Sequence, residues 1–191
     1  VSLIREWSGH PFSMMQELDK SFNGVLMIGY HSPGGSDGNP LAHTLTTGFN
    51  SIKINGKIAS EFMINAYTAS LVGVPVLFVS GDEDLCSEAI KLNNNIKTVA
   101  VNKGIGNSSV SINPHQSIKK IKEEIKNALK DDLNKYKIIL PDRFEVEIEF
   151  MRHHNAYRAS FYPGVKKISP KSISFETNNY FEVLRMLAFV Q

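Results

Sequence analysis

Short apolar runs rich in β-branched residues alternate along this chain with stretches whose apolar positions recur every three or four residues. Val25-Leu26-Met27-Ile28-Gly29-Tyr30 reads as a buried strand, 57–72 as a helix, 74–79 as a second strand and 82–92 as a second helix. A strand over 98–101 and a helix over about 115–129 continue the alternation. Such alternation predicts parallel β-α-β units, so the fold class is α/β, with a mainly parallel sheet flanked by helices. Between the first strand and the first helix, 45–54 can pair as β structure closed by Asn55-Gly56, a strong turn dipeptide. After Pro141 the pattern changes: Phe144-Glu145-Val146-Glu147-Ile148-Glu149-Phe150 alternates apolar and acidic, as a strand with one wet face does. Residues 1–140 are therefore assigned to the α/β domain and 141–191 to a smaller α+β lobe ending in a helix over 178–190.

Composition narrows the function classes. With 191 residues and 42% hydrophobic content, the chain can bury a sizeable core. Its 21 basic and 19 acidic residues leave a net charge of +2, which provides no electrostatic footprint for nucleic acid. The lysine-rich stretch 119–137 also carries Glu123, Glu124, Asp131 and Asp132, and reads as a solvated helix face. No run approaches the ~18–20 apolar residues of a membrane span. The single cysteine, Cys86, cannot form an intrachain disulfide, so a reducing cytoplasm is the expected setting. The sequence opens Val1-Ser2-Leu3 without methionine, and the expectation is that residues upstream are missing from it.

Candidate chemistry concentrates around the first loop. His31 sits at the C-terminal edge of the first strand, where open α/β sheets bind ligands. The loop Ser32-Pro33-Gly34-Gly35-Ser36-Asp37-Gly38-Asn39-Pro40 can continue neither strand nor helix, and His43 follows it. Glu61 lies on the predicted 57–72 helix with Asn65 on the same face, while Ile58, Phe62, Ala66 and Ala69 form its apolar stripe. Glu61 suits a ligand for a divalent ion with Asn65 orienting it, and His43 suits proton transfer or nucleophilic attack beside the metal. Other candidates are weaker. Gly104-Ile105-Gly106 lacks the third glycine of a dinucleotide site, His153-His154 reads as a surface or interface pair, Cys86 has no basic neighbour, and Asp82-Glu83-Asp84 reads as acidic charge at a helix start.

Taken in order, Pro11-Phe12-Ser13-Met14, Gly29-Tyr30-His31, Ala42-His43-Thr44, Glu61 with Asn65-Ala66-Tyr67, Val74-Pro75-Val76-Leu77 and Gly81-Asp82 resemble the DppA-type D-aminopeptidase family of zinc metallopeptidases. The likeness runs over most of the chain and is strongest from about residue 10 to 110. It implies that His31 and Glu61 are zinc ligands and that His43 is the catalytic residue, described in the family as the nucleophile. It also implies two zinc ions in the complete enzyme, peptides with an N-terminal D-amino acid as substrates, and a ring-shaped homo-oligomer. The family's other ligands, an Asp-x-Glu motif and a further histidine, belong upstream of Val1, so the chain is expected to be the C-terminal part of a family member. Two rival readings accompany this one: a catalytically inactive α/β binding or assembly domain derived from such an enzyme, and a phosphate-handling α/β enzyme using Gly34-Gly35 as an anion nest.

Overall fold

Val76-Leu77-Phe78-Val79-Ser80-Gly81-Asp82 is buried at all seven positions because it forms the inner strand of a parallel array. A computed structural model describes residues 2–191. In chain order the elements positioning this strand begin with β1 (Val25–Ile28), β2 (Phe49–Ile54), β3 (Lys57–Ile58), α1 (Glu61–Leu71) and β4 (Val76–Asp82). They continue with α2 (Glu83–Leu92), β5 (Lys97–Ile105), β6 (Ser108–Ser111) and α3 (Pro114–Ala128). The remainder comprises β7 (Phe144–Phe150), α4 (His153–Ala159), β8 (Lys166–Lys167), β9 (Ser172–Thr177) and α5 (Tyr180–Val190). The first sheet has the order β1-β4-β5-β6, parallel across β1, β4 and β5 and antiparallel at the β5–β6 hairpin. The expected α/β class, with a mostly parallel sheet flanked by helices, is the observed one. No helix among the described residues is long and apolar enough to cross a membrane.

A second sheet, β3-β2-β7-β9-β8, is antiparallel throughout. The C-terminal strands do not form a sheet of their own: β7 pairs with β2, so residues 49–58 complete it. This pairing corrects the expectation of a helix from residue 57. Asn55 and Gly56 both take positive φ, 51° and 76°, as a tight hairpin turn requires, and the chain doubles back as β3. The helix starts only at Glu61, where Ser60 caps it by accepting from Met63 N at 3.1 Å. Ile58 therefore falls outside the helix and its apolar stripe, and is exposed.

α1 is buried continuously from Phe62 to Ala69 because it lies between the two sheets. Phe62, Ala66 and Ala69 pack with Met27, Val76 and Val79 of the parallel sheet and Leu85 and Ala89 of α2. Met63, Ile64 and Tyr67 pack with β2, β7, β9 and α5. A third cluster joins Leu77 and Phe78 of β4 and Val99 of β5 to Ala128 of α3 and to Tyr136. The β1 edge is bare on its outer side, with Leu26 and Ile28 exposed.

Candidate functional site

At the end of β1 the chain must leave the sheet yet stay against it. Gly29 supplies a φ of 78°, and the amides of Gly29 and Tyr30 both donate to Ser80 O at 3.0 Å. Gly81 makes this approach possible, since a Cβ there would lie 2.3 Å from Tyr30 O. Farther on, Gly104 at the end of β5 donates its N–H to Gly38 O at 3.0 Å, again at a position with no room for a side chain. The glycine pair at 104 and 106, weak as a dinucleotide motif, thus has a packing reason at Gly104.

Asp82, fully buried, is the clamp on this loop. Its carboxylate accepts from Ser32 N at 2.6 Å, from Ser32 Oγ and from Asn39 Nδ2 at 3.3 Å, and also caps α2 by accepting from Leu85 N at 2.9 Å. Reading Asp82 only as helix-start charge missed this role. Farther along, Gly34 N donates to Thr44 Oγ1, which donates to Ala59 O at 3.0 Å, drawing residues 43–45 against the start of α1. Leu45 N then donates to Glu61 Oε1 at 2.8 Å. Leu45 holds a φ of 63°, a left-handed conformation that costs on the order of 1–3 kcal/mol in a non-glycine residue and is retained where surrounding contacts impose it.

His31, His43 and Glu61 consequently meet, each partly exposed, with one ligand atom from each lying within 4.8 Å of the others. The imidazole rings stack with centroids 4.5 Å apart and planes inclined by 30°. His43 Nε2 lies 3.8 Å from Glu61 Oε1. Each ring turns Nδ1 to a main-chain carbonyl, His31 to Ser32 O at 2.9 Å and His43 to Leu41 O at 2.8 Å. An Nδ1–H donated this way leaves the lone pair on Nε2, the tautomer a metal-binding or proton-accepting histidine needs. Imidazole nitrogen and carboxylate oxygen are donors that suit zinc, and the three side chains lie close enough for ligands and a proton-transfer group to share one site.

The role expected for Asn65 needs correction. Its Nδ2 donates to Tyr30 Oη at 3.0 Å, and it is Leu45 N that holds Glu61. His153 and His154 open α4 as exposed residues, their rings packed edge to face. Burial pushes the Cys86 thiol up to about 11, so it stays protonated and unreactive, as its lack of a basic neighbour suggested.

The chain is 31% identical over 179 residues to a D-aminopeptidase of Bacillus subtilis (strain 168), a match covering 93% of this chain and 65% of that protein. This chain therefore spans less than two thirds of that relative's length. The fold superposes, with a TM-score of 0.84 and 29% identity, on a structure described as "Zn-dependent D-aminopeptidase DppA from Bacillus subtilis, a self-compartmentalizing protease", over 100% of this chain and 68% of the other. The Peptidase_M55 profile, described as D-aminopeptidase, matches residues 1–189, and the chain belongs to that family.

Proposed function

We propose that this chain supplies the catalytic edge of a zinc-dependent D-aminopeptidase that hydrolyses short peptides with an N-terminal D-amino acid, of the D-alanyl type. The observation that carries the reading is the convergence of His31, His43 and Glu61 within 4.8 Å at the mouth of the parallel sheet. His31 and Glu61 would hold the metal, each already oriented by the main chain. A zinc ion held there, one of two in the complete enzyme, would supply Lewis-acid polarisation of the scissile carbonyl and make water easier to deprotonate. His43, with Nδ1–H committed to Leu41 O, has a free Nε2 to take the proton from the attacking water and deliver it to the departing amine. The clamp by Asp82 keeps His31 on the sheet edge during turnover.

Assembly into a ring-shaped homo-oligomer is part of the same reading. It is supported by the self-compartmentalizing description of the Bacillus protein and by the exposure of Tyr157, Phe161 and Phe189, large aromatic side chains on or beside α4 and α5. The lone buried cysteine suits a cytoplasmic setting.

The test is zinc titration of the full-length protein together with hydrolysis of D-alanyl and L-alanyl dipeptides. Stoichiometric zinc with cleavage of the D-peptide is the expected result. A protein that binds neither metal nor peptide as an enzyme would instead be the inactive binding or assembly domain.

A further inference from the structure

Tyr30 is used by none of the steps above, yet its phenol lies beside them. The residue leaves β1 immediately before His31, and its ring packs at the margin of the cluster shared by β1, β4, α1 and α2. Asn65 Nδ2 donates to Tyr30 Oη at 3.0 Å. Asn65 lies one turn beyond Glu61 on the same face of α1, and side chains spaced this way stand ~5–6 Å apart at their Cβ atoms. The phenol is thus tied to the turn of α1 that follows Glu61, on the residue that precedes His31. Asn65 occupies an acceptor site on the oxygen, while the O–H proton finds no acceptor among the described residues.

A hydroxyl with its acceptor side filled and its donor side free, carried by the residue before His31 and bonded to the helix that carries Glu61, is built to give a hydrogen bond. We propose that the Tyr30 phenol is a catalytic hydrogen-bond donor, giving its O–H to the carbonyl oxygen of the scissile amide and to the oxyanion that forms there. This inference rests on the D-aminopeptidase reading and deepens it. In the reaction, water adds through oxygen to the carbonyl carbon, its two protons pass in turn by way of His43 to the departing nitrogen, and the C–N bond breaks to release a carboxylate and an ammonium group. Tyr30 keeps its proton throughout. A donor aimed at developing charge strengthens as the oxyanion forms, so its contribution falls on kcat more than on KM. Asn65 acts as a positioning residue that fixes where the phenol points.

Tyr30→Phe removes one oxygen atom and tests the inference directly. In the zinc-loaded full-length protein the expected result is a fall in kcat of about 10²- to 10³-fold with little change in KM and unaltered zinc content. A phosphinic D-alanyl peptide, a tetrahedral mimic, should lose affinity by a comparable factor, while D-alanine binding stays the same. Asn65→Leu, which leaves the hydroxyl in place but unanchored, should give a smaller fall in kcat and serves as the second test if Tyr30→Phe folds poorly. Unchanged kcat in a folded variant overturns the inference, and so does a loss of activity that simply tracks a loss of zinc. If the unmodified, zinc-loaded protein cleaves no D-alanyl peptide, the parent reading itself has failed, a result distinct from an active parent with an unaffected Tyr30→Phe.

Discussion

Around the parallel sheet and α1, Ser32, Thr44, Ser60, Asn65, Thr68, Ser80 and Asp82 are buried, whereas the buried residues of β7, β9 and α5 are apolar or aromatic throughout. The two halves therefore spend burial on different things. A buried polar group is tolerated only when hydrogen-bonded, so each one near the first sheet fixes a neighbour: Asp82 holds the loop, Thr44 ties it to Ala59, Ser60 starts α1. No residue of the second sheet belongs to the cluster of His31, His43 and Glu61. That sheet supplies packed apolar area through edge-to-face and tilted aromatic pairs such as Tyr67–Phe144 and Phe144–Tyr180, and α1 connects the two.

If this division is real, mutations on the two sides should separate stability from activity. The largest stability effect is expected from Phe144→Ala, which opens a cavity in the second sheet and should cost about 3–5 kcal/mol. Thermal unfolding should show it as a drop in Tm of roughly 10 °C, with turnover per folded molecule close to that of the parent. A comparable collapse of turnover would erase the distinction between the halves.

Asp82→Ala comes next. It removes the cap of α2 and leaves the buried amide and hydroxyl of Ser32 without their acceptor, for a combined cost of about 3 kcal/mol. Unlike Phe144→Ala, it should also depress turnover beyond its effect on folding, because the segment bearing His31 is released. Denaturant titration alongside kinetics at a permissive temperature reads both effects.

The smallest effect is pH-dependent. Burial pushes the Glu88 carboxyl from 4.5 up to about 7, opposed by the hydrogen bond from Ser60, reinforced by Asp82 and opposed by Lys91. Because the folded state then holds more protons than the unfolded chain between those values, stability should fall as pH rises from about 4.5 to about 7 and level off above. Glu88→Gln keeps an acceptor for Ser60 Oγ, which donates to Glu88 Oε1 at 2.8 Å, and removes the buried charge. It should flatten this slope and stabilise the protein at pH 8 by roughly 2 kcal/mol. A slope that survives the substitution would assign it to another group.

The parts of this molecule legible in its sequence are those with local signals. Strand-then-histidine, the Pro/Gly loop and the Asn55-Gly56 turn announce themselves within a few residues. β3 did not, because Ile58 fits a helical apolar spacing with Phe62 and competes with the Ser60 cap signal two residues later. Nor did the clamp by Asp82 on Ser32, which joins residues 50 positions apart, or the pairing of β2 with β7, which joins segments separated by about 95. An acid at a helix start looks the same from sequence whether it faces water or a buried loop. Asn65 illustrates the same limit: its spacing from Glu61 places it on the right face, while its partner, Tyr30, is chosen by the packing of α1 against β1.

The central claim is that His31 and Glu61 hold the metal while His43, equally close, carries protons. Paired measurement of zinc content and D-alanyl peptide turnover in His31→Ala and His43→Ala tests it most directly. The account predicts that His31→Ala loses zinc and activity together, whereas His43→Ala keeps its zinc and loses at least ~10²- to 10⁴-fold in rate. Loss of zinc from His43→Ala, or near-normal turnover by that variant, would contradict it.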